Sequence, residues 1–415
     1  MTMSEIGIGA RERELRERAA RVVPSGMYGH MTARDYAPSM PQYLSGGEGS
    51  TIWDADGREY IDYMCSWGPM VLGHRHPVVE AAAEAQRRQG DCLSGPGPVL
   101  VELAELFVAT VPHADWAIFA KNGTDVTTLG LMVARAHTRK RAILAAAGSY
   151  HGAAPWCNPW PRGLLAEDKA HISYFRYDDL ESAREAAAAV GDDLAGVIVT
   201  PFRHDAGHDQ EEVDPAFARG LRALCDEAGA ALILDDVRAG LRLDPGGSWE
   251  PIGVRPDLSA WGKAIGNGYP LSALVGSDTF RRAAERIFTT GSFWFSSVSM
   301  AASVATITTV QAERAHETMA RIGRLLRDGI ASQAAEHGVA IKQTGPVQLP
   351  NLSFDGDEHF ERALVFADEC ARRGVFVHPS HNWFLSSAHT EDDVDRTLEA
   401  MGHAFARVSA ELGTV

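Results

Sequence analysis

The sequence predicts an α/β protein with a mostly parallel, doubly wound β-sheet. Short apolar runs alternate with helical patterns between residues 77 and 276, which is typical of strand–helix–strand units. Polar residues follow several of these runs directly, as Asp235 and Asp236 follow the apolar run 230–234. Because the carboxyl ends of parallel strands meet at one edge of a sheet, we expect the functional groups to lie along that edge.

The individual elements follow from hydrophobic periodicity and from the positions of Gly and Pro. Strands are predicted at 116–120, 142–147, 195–200, 230–234 and 271–276. Helices are predicted at 77–88, 98–111, 126–137 and 214–229. This alternation indicates one large domain, which we assign to residues 66–296.

The pattern changes on either side of this large domain. Beyond residue 279 the sequence predicts a long helical region at 298–337, strands at 347–354 and 375–378, and helices at 358–373 and from 392 onwards. Near the amino end it predicts a helix at 11–23 and a β-hairpin at 51–62. We therefore expect an N-terminal segment, 1–65, that packs with a smaller α+β C-terminal domain, 297–415.

Composition restricts the possible partners and compartments. The chain has 415 residues and a formal net charge of 39 − 55 = −16, which argues against binding to nucleic acid or to an anionic membrane. The five cysteines form no CxxC pair, so neither a disulfide framework nor a metal site is predicted. Without a secretory signal or an apolar run of about 18 residues, the sequence predicts a cytoplasmic protein.

Lys263 and Asp235 form the main candidate catalytic pair. Asp235 ends an apolar run, and Lys263 follows Gly262 in a Gly-rich loop. Pyridoxal phosphate (PLP) requires a lysine that forms a Schiff base and an acid that keeps its pyridinium nitrogen protonated. Desolvation and nearby cations would lower the pKa of Lys263 and make its amine nucleophilic. The alternative is a surface turn and a solvated lysine.

Two further strand ends carry candidate cofactor-binding residues. Asn122, Gly123 and Thr124 lie between a predicted strand and a predicted helix, where backbone N–H groups can bind a phosphate. Tyr150 and His151 follow the next strand and could stack on a flat ring. The alternative for the first group is an ordinary helix cap that binds no ligand.

Several motifs in the same order resemble the class III PLP-dependent aminotransferases, and the similarity is greatest to the glutamate-1-semialdehyde 2,1-aminomutase branch. The resemblance extends from about residue 23 to residue 400. The matching motifs are 60–63 with 66–74, Gly123-Thr124, Tyr150-His151-Gly152, Asp235 with Val237, Gly262-Lys263, Gly291-Ser292, Pro379-Ser380 and Ala388-His389-Thr390. The resemblance implies a fold-type I enzyme that forms a homodimer with shared active sites.

The same resemblance implies a role for each matching residue. Lys263 would hold the cofactor and then transfer protons, and Asp235 would set the charge of the ring. Val237 and Tyr150 would contact the two ring faces, with His151 in the same ring-stacking loop. The phosphate would be bound by Gly123 and Thr124 and, from the neighbouring subunit, by Ser292.

The motif that holds a substrate carboxylate in the aminomutases is altered in this chain. Thr32 takes the position of their Arg, and Arg34 lies two residues further on. The C-terminal loop that carries a Glu in the aminomutases contains no acid at 381–384. We therefore expect a less acidic or bulkier oxo substrate. The candidate substrate residues are His30, Ser66, Trp67, Trp294, His381, Asn382 and Trp383, although such aromatic residues can equally belong to a dimer interface.

Three functions are compatible with these motifs. The first is an aminotransferase that moves an amino group from an amino-acid donor to a keto or aldehyde acceptor. The second is an aminomutase, which keeps the amino group within one substrate and needs no net donor. The third is a protein that binds PLP without catalysis, against which the presence of both Lys263 and Asp235 argues.

Overall fold

A computed structural model of the chain describes residues 7–160, 162–205 and 208–413. The described residues fall into two compact units. One lies within Met1–His76, Ala206–Asp209 and Glu317–Val415, and the other within Pro77–Asp205 and Gln210–His316. We call the first the terminal unit and the second the sheet unit.

Helices and strands alternate through the sheet unit as the sequence predicts, but the strands Ile172–Phe175 and Leu258–Trp261 and the helix Leu180–Val190 were not predicted. The helices are α1 (Ala10–Val22), α2 (Pro77–Arg87), α3 (Val99–Thr110), α4 (Gly123–Thr138), α5 (Leu180–Val190), α6 (Pro215–Ala228), α7 (Asp278–Ala284), α8 (Ser297–Ala312), α9 (Ala315–Glu336), α10 (Glu361–Arg372) and α11 (Glu391–Leu412). The strands are β1 (Leu44–Glu48), β2 (Thr51–Asp54), β3 (Glu59–Asp62), β4 (Trp116–Ala120), β5 (Ala142–Ala146), β6 (Ile172–Phe175), β7 (Leu194–Val199), β8 (Ala231–Asp235), β9 (Leu258–Trp261), β10 (Ser272–Gly276), β11 (Ile341–Thr344), β12 (Asn351–Phe354) and β13 (Val375–Phe376).

A seven-stranded sheet forms the centre of the sheet unit, in the order β4-β10-β9-β8-β7-β5-β6. The pairs from β9 to β6 are parallel, whereas β10 runs antiparallel to β4 and β9. Every residue of β7 and β8 is buried, because helices cover both faces of such a sheet. The predicted α/β class is confirmed, and the carboxyl ends of β5, β7, β8 and β9 lie at one edge.

A four-stranded sheet, β1-β2-β3-β13, lies in the terminal unit. The predicted hairpin is present as the antiparallel pair β2 and β3. Strand β13 pairs with β3 in parallel, with Val375 opposite Ile61. The amide of Ser39 also donates to Asp368 Oδ1 at 2.8 Å. These contacts join the amino-terminal segment to the carboxyl-terminal part of the chain.

The predicted helical region 298–337 is confirmed, and the structure divides it into two helices. Helix α8 ends at Ala312, and α9 begins at Ala315. Arg314, between them, has φ +51°, a left-handed conformation that cannot continue a right-handed helix. Periodicity alone missed this break because charged residues continue across it without a Gly or Pro.

Helix α8 belongs to the sheet unit, where it packs against α2 and α3. The predicted C-terminal domain, 297–415, instead included this helix. Most of its side chains are buried around its circumference, which explains why α8 lies between other helices. The three-part division itself stays a prediction. Among the described residues, no helix is long and apolar enough to cross a membrane.

Candidate active site

Asp235 is the last residue of β8 and is buried. Its Oδ1 accepts a hydrogen bond from the backbone N–H of Val237 at 3.3 Å. Its Oδ2 lies 2.7 Å from Nδ1 of His151, which is also buried. Because a carboxylate can only accept, the His151 Nδ1–H donates to it. Hydrogen bonds to both oxygens fix the direction of the carboxylate, as expected of a catalytic acid.

Lys263 follows β9 and begins a 3₁₀ turn, 263–266. It is half-buried and adopts φ +47°, a conformation that non-glycine residues rarely take and that is found mostly at functional sites. Desolvation lowers the pKa of Lys263 well below its usual value of 10.5, and the positive charge of Arg238 lowers it further. Asp235 opposes this shift without reversing it. The amine of Lys263 is therefore protonated to a smaller extent than that of an ordinary lysine near neutral pH.

Val237 connects the Lys263 loop with the start of helix α4. A Cβ atom placed on Gly123 would lie 2.8 Å from Val237 Cγ1, and one placed on Gly262 would lie 3.2 Å from the same atom. Neither glycine can therefore be replaced without movement of Val237. This packing brings three predicted cofactor positions, Gly123, Val237 and Lys263, into one small region.

The turn that was predicted to bind a phosphate lies at the amino end of α4. Helix α4 begins at Gly123, three residues before the predicted start, because Asp125 accepts the Asn122 N–H at 2.8 Å and caps the helix. Thr124 Oγ1 accepts the N–H of Ala153 at 3.1 Å. A Cβ on Gly152 would lie 2.4 Å from that oxygen. The loop after β5 thus lies directly against the start of α4, while the Asn122 residue is exposed.

Tyr150 and His151 occupy different environments, although they are neighbours. Tyr150 is 45% exposed, and partial burial raises the pKa of its hydroxyl. The ring of His151 stacks on Trp156 with centroids 6.2 Å apart. His151 was predicted to stack on a ring, but its observed polar contact is with Asp235. The signal that could have revealed this contact is that both residues follow strands of one parallel sheet.

Ser292 and Trp294 lie in the loop between α7 and α8. Ser292 is exposed, so its hydroxyl is accessible to another molecule. Trp294 is half-buried and packs against the apolar core on one face of the sheet. The neighbouring Phe293 is 62% exposed, and the ammonium of Lys121 lies 5.6 Å from its ring centre.

The other predicted substrate residues belong to the terminal unit. Ser66 and Trp67 lie in a turn with φ +55° and +65°, after Cys65 with φ +46°. The Trp67 ring contacts His378 and His381 edge-on, with centroids 5.3 and 5.1 Å apart. Three successive left-handed residues other than glycine are costly, and the surrounding contacts must hold them in place.

Asp62 is the residue that holds this turn. Its Oδ1 accepts the N–H groups of Met64 at 2.8 Å and Cys65 at 3.0 Å. Its Oδ2 lies 2.8 Å from Nε2 of His74. The sequence places Asp62 and His74 in one motif but does not predict that Asp62 holds the turn.

Asn382 and Trp383 are buried, and the side chain of each donates a hydrogen bond within the loop that carries it. The Asn382 side-chain N–H donates to the Trp383 carbonyl at 2.7 Å, and Trp383 Nε1 donates to the His378 carbonyl at 3.1 Å. These bonds shape the loop that carries His381, and direct contact of either residue with substrate stays a prediction. The side chain of His30 lies outside the part of the chain that the structure describes.

The residues of the sheet unit fit PLP. The buried Asp235 suits a protonated ring nitrogen, and the lowered pKa of Lys263 suits an amine that must attack an aldehyde. The amino end of α4 suits a phosphate, and the close approach of Gly123 to Val237 leaves no room there for a larger side chain. A metal site has no comparable support, since the described residues contain no group of three or more potential ligands.

Comparisons with known proteins show the family of this chain. The family model of the class III aminotransferases matches residues 32–404. The chain is 49% identical to an aminopentol aminotransferase of Sphingopyxis macrogoltabida, over 98% of this chain and 96% of the relative. It is 33% identical to a glutamate-1-semialdehyde 2,1-aminomutase of Desulfatibacillum aliphaticivorans, over 94% of this chain and 98% of the relative. The PLP internal aldimine form of the FumI protein from Sphingopyxis sp. MTA144 superposes with a TM-score of 0.96, at 49% identity and 98% coverage of both chains.

The fold and the comparisons define a fold-type I, PLP-dependent enzyme. The chain belongs to the class III aminotransferases. Its function is therefore the transfer of an amino group with PLP as cofactor, as the first of the three hypotheses predicted. The aminomutase is a more distant relative than the aminopentol aminotransferase.

Proposed function

We propose that this enzyme takes the amino group from an amine that bears several hydroxyl groups and transfers it to an oxo acid. The observation that carries the proposal is the 49% identity, over nearly the whole chain, to an aminopentol aminotransferase. The absence of an acid at 381–384 and the Thr at position 32 agree with a donor that differs from glutamate semialdehyde. The products are a carbonyl compound from the donor and an amino acid from the oxo acid.

Lys263 acts first as the residue that holds the cofactor and then as the base and acid of the reaction. When bound, PLP supplies an aldehyde and an electron-withdrawing ring, which stabilise negative charge on the substrate carbon. The lowered pKa keeps a share of Lys263 Nζ neutral, so that it can attack a carbonyl carbon. With a substrate amine in its place on the cofactor, Lys263 Nζ would be free to take up a proton from a substrate carbon and to release it again as an acid.

Asp235 holds a proton at the pyridine nitrogen, and His151 fixes the direction of its carboxylate. The 2.7 Å contact between His151 Nδ1 and Asp235 Oδ2 supports this division of roles. Val237 bounds one ring face, which its close packing on Gly123 and Gly262 supports. Tyr150 covers the other face and remains accessible enough to move with the ligand.

The phosphate is bound by the turn at Asn122, Gly123 and Thr124, with Ser292 contributed by a second subunit. The exposure of Ser292 and of the adjacent Phe293 supports an approach to a neighbouring chain. The enzyme would accordingly act as a homodimer with shared sites. We further place it in the cytoplasm, since the odd number of cysteines suits a reducing compartment.

Donor recognition is assigned to Ser66, Trp67, Trp294 and His381, and also to His30, Asn382 and Trp383. The Trp67 ring and the His381 ring contact each other at right angles, which supports a rigid aromatic wall. Such a wall favours the carbon chain of an amine over a small charged substrate.

The proposal is tested by incubating the purified enzyme with an amino polyol and a panel of oxo acids. Formation of both the carbonyl compound and the new amino acid, in equal amounts, is expected. Turnover of glutamate semialdehyde alone, without an added oxo acid, would instead establish the aminomutase reaction. Failure of every hydroxylated amine, with turnover of ordinary amino acids, would overturn the proposed donor class.

A further inference from the structure

Three threonines of helix α4 hold the loop that follows β5. The Thr127 hydroxyl donates to the carbonyl oxygen of His151 at 2.7 Å. Thr128 Oγ1 accepts the Nε1–H of Trp156 at 3.0 Å, and Thr124 Oγ1 accepts a backbone N–H of the same loop. Helix positions three and four residues apart share one face. One face of α4 therefore fixes both the backbone of His151 and the side chain of Trp156.

Trp156 covers one side of the His151 imidazole. The two rings are nearly parallel, at 17°, and their centroids lie 6.2 Å apart, as in an offset aromatic stack. The indole is half-buried and packs against the apolar core on one face of the sheet. Its backbone lies in a tight turn, in which the N–H groups of Cys157 and Asn158 both donate to the Ala154 carbonyl, at 3.0 and 2.8 Å. The indole therefore has little freedom to move away from the imidazole.

The orientation of the imidazole matters because its two edges have different partners. Nδ1 of His151 lies 2.7 Å from Asp235 Oδ2. Nε2 is buried and has no hydrogen-bond partner among the residues that the structure describes, which is unfavourable for a polar atom. Rotation of the ring by half a turn would place a carbon atom opposite the carboxylate instead of Nδ1. The observed orientation thus depends on the contacts of the Nδ1 edge and of the stacked face.

We propose that Trp156 is a positioning residue, which holds the His151 imidazole so that its Nδ1–H stays directed at Asp235. The inference rests on the proposed function of Asp235 as the acid for the ring nitrogen of PLP. It adds a second task for helix α4. The amino end of the helix would bind the phosphate, while its threonine face, through Trp156 and His151, would support the acid for the ring.

The first test follows the proton on His151 Nδ1 by NMR in apoenzyme with ¹⁵N-labelled histidine, where His151→Phe identifies the signal by its loss. In Trp156→Leu we expect this proton to exchange with water at least about tenfold faster, because the imidazole can turn away from Asp235. Trp156→Phe keeps an aromatic ring and should retain most of the protection. Trp160→Leu is the matched control, because Trp160 also lies between β5 and β6 and is 76% exposed.

The second test loads the same variants with PLP that carries ¹⁵N in its ring, since the chemical shift distinguishes a protonated from an unprotonated ring nitrogen. Asp235→Asn serves as the reference for a lost acid. In Trp156→Leu the ring nitrogen should lose its proton about one pH unit lower than in wild type, because the carboxylate is no longer held in one direction. PLP affinity should change little, because the phosphate contacts remain.

A purely structural role of Trp156 would give a different result. The melting temperature of Trp156→Leu would fall, but both NMR signals of the folded protein would equal those of wild type, and this outcome would overturn the inference. If Trp156→Leu does not fold, Thr128→Val takes its place, because it keeps the shape of the side chain and removes the acceptor for the indole N–H. Wild-type signals in that variant would likewise overturn the inference.

The failure of the inference and that of the proposed function can be told apart. If Asp235→Asn loses the ring proton and Trp156→Leu keeps it over the same pH range as wild type, the proposed role of Asp235 stands and the inference alone is wrong. If Asp235→Asn keeps the ring proton as in wild type, the proposed role of Asp235 is wrong, and the inference falls with it.

Discussion

His151 Nδ1 lies 2.7 Å from Asp235 Oδ2, and both residues are buried at the carboxyl ends of β5 and β8. The two residues are 84 positions apart in the chain, and the sheet order brings them together. A buried charge-assisted hydrogen bond of this kind fixes the carboxylate and is stronger than a neutral one. It makes His151 a positioning residue for the proposed acid.

Replacing His151 tests this positioning. In His151→Phe the ring volume stays, but Asp235 loses its donor, so kcat should fall about 10- to 100-fold. PLP affinity should change less, because the phosphate contacts remain. His151→Asn, which can still donate to the carboxylate, should recover part of the rate. A kcat equal to wild type in His151→Phe would show that the hydrogen bond does not orient Asp235 during turnover.

Arg238 should control the pH at which Lys263 reacts. Its positive charge disfavours protonated Lys263 and contributes to the lowered pKa. In Arg238→Gln the pKa of Lys263 should therefore rise, and covalent attachment of PLP to apoenzyme should need a higher pH. The attachment rate, followed by visible absorption against pH, measures this shift. An exposed arginine of the terminal unit, Arg396, supplies the control, since Arg396→Gln should leave the pH profile unchanged.

The lowered pKa of His113 predicts that the folded protein loses stability in acid. Burial lowers the pKa of His113 to about 4, while its Nε2 lies 2.8 Å from Ser259 Oγ. The unfolded chain binds a proton to His113 near pH 6.5 and the folded protein only near pH 4, so stability is lost as the pH falls between these values. One proton changes the free energy of unfolding by at most about 1.4 kcal/mol per pH unit. Urea unfolding at several pH values should show a smaller slope in His113→Gln, and an unchanged slope would exclude His113 as the cause.

Asp62 should be important for stability through the left-handed turn that follows it. Asp62→Ala removes the acceptor for two backbone N–H groups and for His74. The free energy of unfolding should fall by about 2–4 kcal/mol, as for other buried, charge-assisted hydrogen bonds. Asp355→Ala is the matched control, because the Asp355 side chain is 43% exposed. This substitution should lower the free energy of unfolding by less than about 1 kcal/mol. A loss no greater than in this control would mean that other contacts hold Trp67.

The sheet and its site edge were predictable because their signals are local. An apolar run followed by a carboxylate, as at Asp235, predicts both a buried strand and its functional end. The start of α4 was predicted too late, because Gly123 is typical of a loop until Asp125 is seen to cap the helix. The break at Arg314 was missed because nothing in its residue type demands a left-handed conformation.

The contacts of Asp235 and Asp62 could not be predicted, because they involve His151, 84 positions away, and His74, 12 positions away. His151 reaches Asp235 only through the order β8-β7-β5. Motif resemblance predicted the cofactor positions but did not indicate which neighbouring residues orient them.

The visible absorption spectrum of the purified enzyme tests the reactive role of Lys263 most directly. The spectrum is recorded for wild type and for Lys263→Ala, first during titration with an amino polyol and then with pyruvate. We predict that the amine removes the cofactor band of wild type and that pyruvate restores it. Lys263→Ala should lack the wild-type band and lose turnover, whereas Lys342→Ala, at an exposed position, should behave as wild type. Turnover near the wild-type rate in Lys263→Ala would contradict the assignment of Lys263 as the reactive amine.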